Sequence, residues 1–350
     1  KKERFWEEDE ARAALAKLGP MPAEKAGLVR SASRNQRTLL PPAPFNTTAF
    51  LSAASSSLGL TAANAMRIAE NLYINGLISY PRVDNTVYPE SMDFEEILNT
   101  LGQGEFNGLV SEILRQDKIV PTRGKKFATD HPPIHPTDVA ARSQLDPQGW
   151  KVYELVLRRF LGTLAPQALV ESMQIDIEVN GEPFLARGSR VLKEGWLKFY
   201  SYGRKKDTEL PDVKEEDRLN LAEYKLEQKE TQPPSRYSQG ELIRSMEELG
   251  LGTKATRHQI IQNLYERGYV HSDPLIPTET GLAVAESLMK HAEAIVTPGM
   301  TAELEENMDA IADGKIGRNE VVNKSRLMLK SIMEVLEKER EQLAREIREG

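Results

Sequence analysis

The sequence predicts an α+β chain of more than one domain, on three observations. Helical hydrophobic spacing runs through residues 5–19, 49–75, 147–165 and 238–348, while residues 173–203 alternate like strands around an Asn180-Gly181 turn. Proline-rich junctions interrupt the chain at LLPPAPFNTT (39–48) and at Pro233-Pro234. The length of 350 residues is enough for two or three separate cores.

Each element has its own local signal. FWEEDEARAALAKLG (5–19) opens with acids and is followed by Gly19, which suits the helix dipole and the C-terminal cap. Residues 49–75 read as two helices broken at LGLT (58–61), and 90–120 as mixed but mainly helical. PTRGKKFATDHPPIHPTD (121–138) is loop-like, with four prolines and one glycine. A helix follows at 147–165 around Trp150, Tyr153, Val156 and Phe160. Strands are expected in MQIDIEV (173–179), PFLARGSRVLK (183–193), GWLKFYSYG (195–203) and LNLAEYKLEQKETQ (219–232). From 238 the chain is mostly helical, and it closes with a charged amphipathic helix near 318–348.

Composition excludes several classes. Hydrophobic residues at 39% and charged ones at 28% read as a soluble globular chain. No apolar run is long enough for a membrane span, and no basic-then-apolar leader is visible. With no cysteine there is no disulfide, zinc finger or thiol nucleophile, and a reducing compartment fits. A net charge of −7 argues against a simple basic nucleic-acid binder, though local basic patches stay open. The opening KKERFW, without an initiating Met, reads as a piece of a longer protein.

Two distant stretches resemble each other. SLGLTAANAMRIAENLYINGLI (57–78) and ELGLGTKATRHQIIQNLYERGYV (248–270) share Asn-Leu-Tyr-x-x-Gly followed by two apolar residues. The second carries one extra residue in its turn. Helix, glycine-containing turn, helix, then an extended segment is the pattern of a helix–turn–helix with a trailing wing. The second helix of such a unit faces nucleic acid. Its exposed candidates are Arg67 in the first copy and Lys254, Arg257, His258 and Arg267 in the second.

The first copy runs into ISYPRVDN (78–85). The residue before a proline is pushed toward extended geometry, and residues two apart on a strand share a face. Tyr80, Arg82 and Asp84 are therefore expected to point the same way. A phenol can act as a covalent nucleophile, and a guanidinium beside it suits a phosphate target. The residues alone leave two other readings open. One is a non-enzymatic tandem winged-helix DNA-binding protein, and the other is a scaffold that binds no nucleic acid.

GLISYPRVDNT (76–86) resembles the active-site stretch of the type IA DNA topoisomerases. Further segments resemble that family in its own order: PAPFNTT (42–48), DHPPIHPTD (130–138), PPSRYSQGELIRSMEELGLGTKAT (233–256), LYERGYV (264–270) and TPGMTAELEENMDAIADGK (297–315). HPPIHP looks most like the archaeal branch. The resemblance covers nearly the whole chain.

The resemblance implies part of a torus. Residues 1–41 and 170–228 would form a β-rich gate, 42–169 the catalytic tyrosine domain, and 229–350 a second helical, DNA-binding domain, with winged-helix units in both helical parts. Tyr80 would be the nucleophile that forms a 5′-phosphotyrosine. Arg82 and His131 would contact the scissile phosphate, and Asp84 would support them. Arg236, Lys254, Thr256, Arg257 and Arg267 would lie on the single-stranded DNA surface. Thr253 departs from the arginine common in bacterial members, and Arg257 replaces a common tyrosine. The family's Toprim motifs are absent from this sequence. Mg²⁺, which the full enzyme is expected to need, would be bound by that Toprim domain, and the chain alone would cleave poorly or not at all. The implied partners are single-stranded and negatively supercoiled DNA, with no membrane and a monomeric state, in the cytoplasm at the nucleoid.

Overall fold

The Asn180-Gly181 turn sets the first unit. Both residues have positive φ, 49° and 84°, which gives the turn the twist that neighbouring strands need. It joins β2 (Ala168–Val179) to β3 (Glu182–Lys193), paired antiparallel along their length. On its other side β2 pairs antiparallel with β1 (Gly27–Leu39), and β4 (Arg218–Leu219) extends the sheet beyond β1. One face is apolar: Val29, Met173 and Ile175 are buried under Leu210, Val213 and Leu219. The other face shows Ser33, Asn35, Arg37, Ser172, Gln174 and Ser189 to solvent. A helix, α1 (Glu8–Leu18), precedes the sheet. A computed structural model describes residues 4–19, 27–204 and 206–349 of the chain. The expected gate stretch 1–41 is described except at residues 1–3 and 20–26.

Two expectations are corrected here. GWLKFYSYG is not a strand: a 3₁₀ turn forms at Gly195–Lys198. Gly195 has φ +49°, and a β-carbon there would lie 2.4 Å from the Gln167 carbonyl oxygen. The chain folds back at that glycine, and the Trp196 indole donates to the Leu39 carbonyl. Leu197, Phe199 and Tyr200 are buried at helical rather than strand spacing. Of 219–232 only Leu219 is paired in a strand, and Leu226 is 44% exposed, so its alternation finds no face to bury. Conversely, β1 carries no hydrophobic alternation beyond its first residues. Beyond Val29 it is held mainly by its register with β2.

The second unit is built on the repeat. The first copy is α2 (Thr47–Leu58) and α3 (Ala62–Ile74). Asn46 caps α2, Thr61 caps α3, and Gly59 between them has φ +66°. Short helices α4 (Phe94–Leu101) and α5 (Asn107–Leu114) and the long α6 (Pro147–Leu164) follow. Phe45, Phe50, Leu51, Met66, Leu72, Tyr153 and Phe160 are almost fully buried in this unit.

The second copy is α7 (Gln239–Glu248) and α8 (Arg257–Glu266), then a two-stranded ribbon of β5 (Val270–His271) and β6 (Ile276–Pro277). Ser238 and Glu241 cap α7 reciprocally, and Gly250 after it has φ +67°. Beyond lie α9 (Glu279–His291), α10 (Glu293–Val296), α11 (Pro298–Ala312), α12 (Arg318–Lys338) and α13 (Arg340–Glu349). The single closing helix expected near 318–348 is thus broken at Glu339.

The chain divides into two units, Lys1–Pro41 with Leu164–Pro234, and Pro42–Thr163 with Ser235–Gly350. The expectation of separate domains at 42–169 and 229–350 differs from this grouping, and the reason is local. Helices α2 and α7 pack on each other so closely that a β-carbon at Gly240 would sit 3.0 Å from the Ser52 backbone. Gln239 also crosses between the copies. Its side chain accepts from the Ala62 N–H at the start of α3 (2.9 Å) and donates to the Tyr265 hydroxyl (3.1 Å).

Candidate active site

Two extended stretches lie side by side ahead of any side-chain chemistry. Ser79 N–H donates to the His135 carbonyl, Thr137 N–H to Leu77, and Thr86 N–H to Lys126. The loop 121–138 is therefore laced to residues 77–86 along both lengths. Gly124 allows the close approach, since a β-carbon there would overlap the Thr86 side chain. Buried Asn85 completes the lacing, its amide donating to the carbonyls of Ala128 (2.7 Å) and His131 (3.1 Å).

Tyr80 follows a single β-bridge at Ile78 and is not in a regular strand. Burial still alternates in steps of two: Pro81, Val83 and Asn85 are buried, while Tyr80, Arg82 and Asp84 are half-buried. The Tyr80 ring lies between Tyr73 of α3, at 5.3 Å between centroids, and the imidazole of His131, at 4.8 Å. His131 itself is exposed on its loop.

Arg82 is held from both copies. Its Nε donates to Glu70 of α3 (2.7 Å), with Nη2 at 2.6 Å from the same oxygen, and its Nη1 donates to the Ala255 carbonyl (2.9 Å). The ammonium of Lys254 lies 2.7 Å from Asp130 and 3.6 Å from Asp84. The hydrogen bond from Lys254 holds the Asp130 carboxyl below the ordinary aspartate value. Burial pulls Lys254 down, but Asp130 and Asp84 outweigh it and leave the ammonium above the usual lysine value.

The second copy departs from expectation at two exposed candidates. Arg257 is buried: its guanidinium donates to the carbonyls of Leu251 (3.0 Å) and Gly252 (2.8 Å), inside its own turn. The chain bends sharply there, and turn carbonyls away from water need a donor. His258 is buried too, and burial, with Arg82 nearby, pushes its imidazole below the ordinary value. Its Nδ1 has no hydrogen-bond partner among the described residues. Arg67, Arg236, Thr256 and Arg267 are exposed. Thr256 Oγ1 accepts from the Thr253 N–H (2.9 Å), which closes the turn ahead of α8.

His135 is a core residue packed near Tyr88 and Phe160. Its Nδ1 faces the Pro133 carbonyl at 2.7 Å, and burial holds it below the ordinary imidazole value. The carboxylates on the Tyr80 and His131 loops do not fit a magnesium site. Asp84 and Asp130 share one ammonium, and no group of three metal-ligating side chains occurs among the described residues.

Sequence reasoning missed Glu70, Asn85, Asp130 and the Ala255 carbonyl. Glu70 directly precedes the shared Asn-Leu-Tyr, and Asp130 directly precedes His131, so a charge beside each motif was the available signal.

A phenol set against an imidazole, with a braced guanidinium two residues on, is an arrangement whose chemistry suits attack on a phosphate. Comparison with known proteins gives the family. The family model described as DNA topoisomerase matches residues 1–323. DNA topoisomerase 1 of Archaeoglobus fulgidus is 44% identical over 347 residues, covering 99% of this chain and 51% of that protein. DNA topoisomerase 1 of Thermoplasma acidophilum is 42% identical over 309 residues, 88% of this chain and 40% of that protein. Full-length topoisomerase I from Thermotoga maritima shares the fold, with a TM-score of 0.76 at 24% identity, over 95% of this chain and 55% of that one. The chain belongs to the type IA DNA topoisomerases. It spans about half the length of the curated relatives it matches.

Proposed function

We infer that this chain carries the strand-cleaving tyrosine of a type IA topoisomerase. The Tyr80 oxygen attacks the phosphorus of one DNA strand. The bond to the 3′ oxygen breaks, that oxygen leaves as a hydroxyl, and the 5′ phosphate stays on Tyr80. After another strand has passed through the gap, the 3′ hydroxyl attacks the phosphotyrosine and restores both the strand and the phenol. Negatively supercoiled DNA is relaxed without an external energy source, because the cut bond's energy is kept in the phosphotyrosine. The observation that carries this reading is the placement of Tyr80 against His131, 4.8 Å between rings, with Arg82, two residues on, braced by Glu70 and the Ala255 carbonyl.

In this reading the scissile phosphate competes with Glu70 for the Arg82 guanidinium and meets His131 on the exposed side. A phenol that attacks phosphorus at neutral pH needs a partner that takes up its proton. Magnesium and the remaining acid–base groups would come from a Toprim part of the full-length enzyme, outside this chain. The ribbon β5–β6 after α8 serves as the wing of the second DNA-binding unit. The exposed Arg67, Arg236, Thr256 and Arg267 track the single-stranded backbone of the DNA, with the protein working as a monomer in the cytoplasm. A β-rich gate at 1–41 and 170–228, hinged at the junctions near 41 and 169, lets the tyrosine domain lift.

The test is trapping in the full-length enzyme with Mg²⁺ and single-stranded DNA labelled at either end. The expected adduct carries the 3′-side piece through its 5′ phosphate and is absent in Tyr80→Phe. An adduct that persists in Tyr80→Phe overturns the reading.

A further inference from the structure

Lys254 sits where the second copy's turn meets the two stretches that carry Tyr80 and His131. A lysine on a DNA-binding helix–turn–helix is expected to meet phosphate. Here the ammonium faces Asp130 at 2.7 Å and Asp84 at 3.6 Å. The trio carries a net charge of −1, so an approaching phosphate meets no excess positive charge. Asp130 directly precedes His131, and Asp84 lies on the same side of its stretch as Tyr80.

A second ion pair repeats the pattern: Lys126 on the same loop meets Glu247 of α7 at 2.6 Å. The loop segment 126–130 is thus tied to the second copy at both ends, with opposite polarity. Within the first copy, Asn85 fixes the loop's carbonyls at Ala128 and His131. The side chains of Lys254, Asp84 and Asp130 are 27%, 40% and 45% exposed. Ion pairs this open contribute little to global stability, so their effect is local.

We propose that Lys254 is a positioning residue, clamping Asp130 and Asp84 so that the His131 imidazole is held against Tyr80, and is not a phosphate contact. The proposal rests on the strand-cleavage reading for its purpose but not for its geometry. In this account the second copy assembles the first copy's reactive pair.

The experiment uses the chain itself and two readouts. Histidine NMR measures the shift that the Tyr80 ring imposes on His131, taken as the difference from Tyr80→Leu. Lys254→Met is expected to abolish that difference. Pairing Lys254→Asp with Asp130→Lys is expected to restore it, which also controls for a folding defect. The salt dependence of single-stranded DNA binding is expected to be unchanged in Lys254→Met. A phosphate contact would instead lower the slope by about 0.7. In the full-length enzyme, Lys254→Met is expected to slow adduct formation about tenfold, within the roughly 100-fold that misplacing a reacting group by about 1 Å can cost, with the apparent affinity for DNA unchanged. An intact His131 shift in Lys254→Met, or a fall in the salt slope, overturns the proposal. If no variant forms an adduct while the His131 shift behaves as described, the cleavage reading fails and the clamp stands.

Discussion

Counted from the shared Asn-Leu-Tyr, Tyr80 in the first copy stands where Ser272 stands in the second, and Arg82 where Pro274 stands. The turn between helices differs as well, residues 59–61 against residues 249–256. The longer turn delays the start of α8, is closed by Thr253 and Thr256, and presents Lys254 and the Ala255 carbonyl to the first copy. On the proposed reading, one copy carries the reactive groups and the other holds them. The same local frame serves both, because glycine in the left-handed region follows the first helix in each, Gly59 and Gly250.

The sharpest way to break this comparison is at the braced guanidinium. Arg82→Ala in the full-length enzyme is expected to slow adduct formation about 100-fold or more, the scale of losing a charge that meets the transition state. Arg82→Lys recovers only part of it, because an ammonium cannot reproduce a fork shared between Glu70 and the Ala255 carbonyl. Ser272→Ala, at the matching place in the second copy, is expected to leave the rate unchanged.

The next effect separates two arginines at opposite ends of α8, Arg257 at its start and Arg267 just past its end. Arg257→Ala is expected to lower stability by about 1–3 kcal/mol, because turn carbonyls lose their donor, and to leave the salt dependence of DNA binding alone. Arg267→Ala is expected to do the reverse, with stability kept and the salt slope lowered by about 0.7. Urea unfolding and binding titrations at several salt concentrations check both.

The smallest effect is a pH dependence at the join between the copies. Asp130 is held below its ordinary value in the folded protein, so in that range the unfolded chain binds more protons. Its stabilisation is therefore complete above the ordinary aspartate value near 4, and is lost as pH falls through the lower folded value. A stability difference between the chain and Asp130→Asn should be level near neutrality and vanish in acid.

Much of the site was legible because its physics is local. The proline after Tyr80 and the two-residue alternation placed Tyr80, Arg82 and Asp84 on one side, and the burial of Pro81, Val83 and Asn85 shows why that pattern works without a full strand. The helices of the repeat were legible from their spacing and their glycines. What could not be read depends on distant partners. Nothing in TKATRHQ says that Arg257 will turn back onto its own turn carbonyls while Lys254 reaches two carboxylates more than a hundred residues earlier. Strand β1 was hidden because beyond Val29 it carries almost no apolar alternation and owes its place to β2. The alternation at 219–232 misled because it has no surface to cover.

The most direct measurement maps the covalent link. The trapped adduct from the full-length enzyme is digested with nuclease and trypsin, and the modified peptide is fragmented in a mass spectrometer. Ile68–Arg82 is the tryptic peptide that contains Tyr80, and it also contains Tyr73. The account predicts a nucleotide 5′-phosphate on Tyr80. A nucleotide on Tyr73, on Ser272 or on any other residue would contradict it.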